Sequence, residues 1–127
     1  GEFGAAIVGV AGPLTNFILA FLFFTIYALS GAPTGLLGDF LVIAVFVNLG
    51  FFVFNMLPIP PLDGSRLLYA IAPDGAREVM AKIEQNGLIL IFALILLFSS
   101  QLGQLISTLT RGIISAFSGL FGLPVIQ

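Results

Sequence analysis

Within the 127-residue chain, the residue types able to do chemistry gather in "FNMLPIPPLDGSR", residues 54–66. Asp63 offers a carboxylate, an acceptor for protons or cations, and Asn55 an amide that both donates and accepts hydrogen bonds. Between them lie Pro58, Pro60 and Pro61. Three prolines remove three backbone donors and bar a regular helix, and Gly64 is expected to permit a sharp turn directly after the carboxylate. The segment is suited to holding Asp63 at the end of a stiff, extended strand. Two readings of Asp63 stay open from the residues alone. It is a fixed carboxylate serving a site, or an ordinary turn residue in a loop at the water interface. An ion pair with Arg66, three residues on, would also account for it, although Arg66 is expected to reach toward the interface instead. The carbonyl-rich, donor-poor segment could also accept an incoming peptide by strand addition.

The elements that must position these residues follow from composition. Hydrophobic residues make up 59% of the chain and charged residues 8%, whereas soluble domains run near about 25% charged. Residues 3–38 carry no ionisable side chain except Tyr27, and residues 40–62 and 85–110 carry none. A bilayer core needs about 20 helical residues, so the chain is read as an all-α, multi-pass membrane protein in a single domain over residues 1–127. Three spans are expected at about 5–31, 37–57 and 87–103, with a Pro-rich break after the second and an amphipathic tail helix at about 104–122. An ionisable group at membrane depth is a functional-site hypothesis by default.

Ala5, Gly9, Gly12, Asn16 and Ala20 place small or amide side chains along one face of the first span, which another element can approach closely. Asn48 and Asn55 lie two turns apart on one face of the second. A short helix capped by Ser65 is expected over "GSRLLYAIA", a turn at "PDG" (73–75), and an amphipathic helix from Ala76 that continues into the third span. Leu102, Ile106, Leu109, Ile113, Phe117 and Leu120 recur at helical spacing, so the tail can lie in the interface or pack along the bundle. Glu78, Lys82 and Glu84 read as a solvated face, and the fourteen phenylalanines as lipid-facing mass.

Four basic residues and a net charge of −2 leave no electrostatic footprint for nucleic acid. The absence of cysteine removes disulfides and thiolate metal sites. Arg66, Arg77 and Lys82 fall in the second connection, whereas the first holds only Asp39, which places the 64–86 connection on the cytoplasmic side.

The stretch "NMLPIPPLDG" reads as NxxPxxxxDG and resembles the signature of the site-2 protease family of intramembrane zinc metalloproteases. "GPLTN", with Gly12 and Asn16, is similar to that family's GxxxN element one span earlier, and "KIEQNGLILIFALILLF" resembles the helix that follows the aspartate motif in bacterial members. The resemblance covers roughly residues 5–105. It implies a three-helix catalytic core in which Asp63 is the third zinc ligand. It also implies that Asn55 faces the site as a catalytic residue, and that Asn16, Pro58, Ile59 and Pro60 lie along the path of the substrate, a transmembrane helix of another protein. It implies an enzyme, a zinc endopeptidase, in the lipid bilayer, expected in the cell membrane of a prokaryote. The chain has no histidine, so the family's HExxH helix, with two zinc-binding histidines and a glutamate base, is expected as a partner from a segment before residue 1, and the chain alone is expected to be inactive. A non-catalytic scaffold, or a channel or transporter subunit, is the alternative.

Overall fold

The computed structural model describes residues 1–123, apart from the Glu2 side chain. Five helices follow in order: α1 (Glu2–Leu29), α2 (Gly35–Asn55), α3 (Ser65–Ile71), α4 (Asp74–Gln85) and α5 (Gly87–Phe121). Among the described residues no strand occurs, and α1, α2 and α5 are each long and apolar enough to cross a membrane. In hydrocarbon a backbone satisfies its N–H and C=O groups internally only as a helix or a closed barrel, which is why uninterrupted apolar runs become helices here.

The chain reverses between α1 and α2 through Gly31 and Ala32, both at positive φ, with the Ala32 N–H donating to Tyr27 O at 2.9 Å. The two helices form an antiparallel hairpin, against which the C-terminal half of α5 docks. Ala20 and Phe24 of α1, Val45 and Leu49 of α2, and Ile114 and Phe117 of α5 close the core. The Phe117 ring meets Phe17, Phe21 and Phe24 at centroid distances of 5.6, 5.2 and 5.6 Å. These phenylalanines are therefore not simply lipid-facing mass. Where lipid is as apolar as the side chains, helix association rests on close packing, which these rings supply here.

The third span and the tail are one helix of 35 residues, with no break at 103–104. Its irregularity is at Phe98 (φ −126°, ψ 27°), directly before the Ser99–Ser100 pair. Beyond it, Thr110, Ile114, Phe117 and Ser118 are buried against the hairpin, so the tail packs along the bundle. Two further local expectations change. "PDG" is not a separate turn, because Pro73 precedes α4 and Asp74 begins it. Nor does α4 continue into the third span, because Asn86 (φ −111°, ψ 31°) separates them.

Candidate active site

α2 ends at Asn55, and residues 56–64 fold into successive turns rather than an extended strand. The reason is backbone satisfaction. The N–H groups of Ile59, Leu62 and Gly64 donate to Leu57 O (2.8 Å), Ile59 O (2.7 Å) and Asn55 O (2.7 Å), so the last bond ties the end of the loop to the end of α2. The prolines leave fewer donors to place, as their ring chemistry requires. The Pro60–Pro61 peptide bond is cis.

Gly64 is needed for space, not for its conformational range. Its φ of −59° and ψ of −27° suit any residue, but an added Cβ would lie 2.6 Å from Leu57 O and nearer still to Met56 C and O. The Ser65 hydroxyl, buried, does not cap α3 but donates to Leu62 O at 2.7 Å, bracing the loop from inside.

The loop packs on the small face of α1. An ideal Cβ on Gly9 would stand 2.7 Å from Arg66 Cγ and 3.3 Å from Asp63 O, and one on Gly12 would stand 3.9 Å from Asp63 Oδ2. Residues three apart on a helix share a face, so Asp63 and the Arg66 stem sit one turn apart on the same side of α1. Asn16, half-buried, follows Gly12 by another turn. The GxxxN element and the aspartate, fifty residues apart in the chain, are thus brought together. On the other side, the Pro61 ring abuts Gly87 at the start of α5, 2.8 Å from where a Cβ would be.

Asp63 is half-buried, and among the described residues its carboxylate forms no ion pair. Arg66 neither pairs with it nor extends freely: its Nη2 lies 2.9 Å from Glu84 Oε1. Glu84 therefore leaves the solvated face, its second oxygen accepting from Tyr69 Oη at 3.0 Å. The amides of Asn48 and Asn55 each donate to a carbonyl one turn back on α2, Ala44 O (2.8 Å) and Phe51 O (2.9 Å). The backbone carbonyl of Asn55 is the one that accepts the Gly64 N–H at the loop closure. Pro58 is exposed, Ile59 half-buried and Pro60 buried, so Pro58 and Ile59 form the outer part of the loop and Pro60 shapes it from within. An apolar cleft of about 380 Å³ between α2 and α5, lined by Phe46, Val47, Gly50, Phe51, Phe54 and Ile106, runs along α2 toward this end.

Catalytic zinc takes three protein ligands plus a water, commonly histidines with a carboxylate. Among the described residues no group of three metal-ligating side chains exists, and the chain has no histidine or cysteine. Asp63, which forms no ion pair among the described residues and sits in a loop closed by backbone bonds, fits as one oxygen ligand of such a set. The rest of the set is not in these residues. The carboxylate motif was visible in the sequence, whereas the Glu84–Arg66–Tyr69 cluster was not, because its members are 15 and 18 residues apart across a helix break.

Comparison with known proteins agrees with this geometry. The model of Peptidase family M50 matches residues 32–99, which include the whole loop. In an alignment of 126 positions that covers 91% of its length, the chain is 36% identical to "Putative zinc metalloprotease YwhC" of Bacillus subtilis. It is 48% identical over 61 residues, 48% of its length, to "Putative zinc metalloprotease MJ0611" of Methanocaldococcus jannaschii. It spans 57% and 31% of those relatives. No solved structure matches it. With NxxPxxxxDG closed into a loop against a GxxxN helix and the family match across that loop, the chain belongs to peptidase family M50, the site-2 proteases.

Proposed function

We propose that this chain is the aspartate-bearing part of a zinc-dependent intramembrane endopeptidase that cleaves transmembrane segments of other membrane proteins. The observation that carries the reading is the Asp63 carboxylate, unpaired and locked against Gly12 of α1 by a loop whose ends are bonded together. In this reading Asp63 is one metal ligand, and two imidazoles and a glutamate base come from polypeptide outside these 127 residues. The isolated chain is then inactive. Zinc in such a set supplies a water activated near neutral pH.

The chain's own residues position the partners. The cleft between α2 and α5 accepts an apolar helix face and leads to Asn55. The exposed Pro58 and the half-buried Ile59 hold the unwound substrate, and Asn16, one turn beyond Gly12 on α1, contributes an amide to its path. Asn55, its amide fixed by Phe51 O, orients the peptide beside Asp63. A peptide bond within a helix has its carbonyl engaged and its face covered, so helix-destabilising residues in the substrate favour cleavage. In this reading the 64–86 connection is cytoplasmic, in the cell membrane of a prokaryote; the clustering of Arg66, Arg77 and Lys82 in that connection supports the orientation.

Asp63→Ala in the full-length protein tests the reading. Cleavage of a transmembrane reporter is expected to be abolished and bound zinc, measured by elemental analysis, to fall, with membrane insertion unchanged. Full cleavage by this variant would refute the assignment. Retained zinc with lost cleavage would remove Asp63 from the ligand set.

A further inference from the structure

Arg66 is the one cation close enough in sequence to neutralise Asp63, and the fold places the two side by side. Their backbones join through the Arg66 N–H and Asp63 O at 3.0 Å. The Arg66 stem lies against Gly9 and Asp63 Oδ2 against Gly12, about 4.5 Å apart along the helix axis. A guanidinium spans that distance easily. It points elsewhere because three contacts fix it. The stem is backed by α1, Nη2 is 2.9 Å from Glu84 Oε1, and the guanidinium carbon lies 5.7 Å from the Tyr69 ring centroid. Tyr69 Oη donates to the other Glu84 oxygen at 3.0 Å, so both carboxylate oxygens are engaged. Arg77 Nε donates to Tyr69 O at 2.8 Å, fastening α4 to α3. Glu84 is the second-last residue of α4, and Gly87, three residues later, abuts Pro61. The α4–α5 junction therefore touches the site loop at Pro61 and the start of α3, just after the loop, at Arg66.

We propose that Glu84, aided by Tyr69, is a positioning residue that draws the Arg66 guanidinium away from Asp63, so that the Asp63 carboxylate stays free to receive a cation. The inference rests on the reading of Asp63 as a metal ligand, but the diversion of Arg66 is a property of this chain's own side chains. Partly buried, charge-assisted contacts with good geometry are stronger than exposed pairs; side-chain exposures of 38% and 26% put Arg66 and Glu84 in between. Once the Glu84 charge is removed, Asp63, three residues away and one turn along the same side of α1, is an anion within reach of Arg66. An arginine seated there competes with a metal for the same oxygens.

The test uses full-length protein. First, with metal stripped by a chelator, thermal melts are recorded for the Asp63→Asn and Arg66→Gln cycle in two backgrounds, native Glu84 and Glu84→Gln. Additive effects are expected with native Glu84, where the two are not paired, and non-additive effects with Glu84→Gln, where they are. Additivity in both backgrounds overturns the proposal. Second, zinc retention is expected to fall about tenfold or more in Glu84→Gln, in the range typical of residues that orient ligands, and to recover when Arg66→Gln is added. A loss that Arg66→Gln does not relieve means Glu84 is merely structural and also overturns the proposal. If Asp63→Asn retains all its zinc, the metal-ligand reading fails, while the melts still decide the diversion. Should Glu84→Gln not fold, Tyr69→Phe, which removes one contact on Glu84, is expected to give the same non-additivity at smaller size, and its absence there refutes the idea.

Discussion

Gly64→Ala isolates what the loop does. The substitution adds one carbon, and its ideal position is 2.6 Å from Leu57 O and closer still to Met56 C and O. Ordinary carbon–oxygen contacts begin at about 3.3 Å, so backbone must move by close to an ångström. The neighbours are main-chain atoms at the end of α2, not the tip of a side chain that can swing aside. Overpacking of this kind costs about 1–3 kcal/mol. The shift also strains the Gly64 N–H to Asn55 O bond of 2.7 Å, whose loss adds about 1 kcal/mol. A total near 3 kcal/mol moves the balance between the closed loop and displaced forms by about a hundredfold. The assay is reporter cleavage by full-length protein in bilayers, with limited proteolysis to detect opening at residues 56–64. Gly112→Ala is the control, since nothing lies within 4 Å of its Cβ position. Strongly reduced cleavage and new proteolytic sensitivity in the loop are expected for Gly64→Ala alone. Wild-type behaviour of that variant would refute the claim that the closed loop holds Asp63.

Further outcomes follow from the same geometry. Gly12→Leu extends a side chain from a Cβ position 3.9 Å from Asp63 Oδ2, and is expected to abolish cleavage and zinc retention while the melting temperature stays close to wild type; Gly12→Ala, in ordinary contact, retains both. Phe24→Ala removes a fully buried ring that meets Phe117 and Phe121. It is expected to destabilise the bundle by about 2–3 kcal/mol, at or below the lower end for Phe→Ala because lipid leaves mainly packing to lose, as read by denaturation in mixed micelles.

Composition and motif spacing determined much of this protein. Long runs almost without charge form helices in hydrocarbon, so three spans at about 5–31, 37–57 and 87–103 were readable in the sequence, each beginning within a few residues of a helix in the structure, although the third helix runs on to Phe121. The helix break at Pro58–Gly64 was equally readable, because proline acts locally. Family membership was visible too, since NxxPxxxxDG and GxxxN are contiguous patterns. The tertiary structure decided whatever depends on distant groups meeting. It made the proline segment a closed loop, because buried N–H groups took partners within it, whereas an extended strand would have left them open. It showed that Gly64 is dictated by the Met56 and Leu57 backbone and not by its own φ, a contact that propensity does not record. It joined the third span and the tail in one helix whose irregularity is at Phe98, and beyond it the stripe from Thr110 to Ser118 found the hairpin. It also turned Arg66 from Asp63 to Glu84, because Gly9 admits the arginine stem and α4 folds back to offer a carboxylate. Local rules operate over a turn or two of chain; pairing across 18 residues and a helix break exists only once the helices have packed.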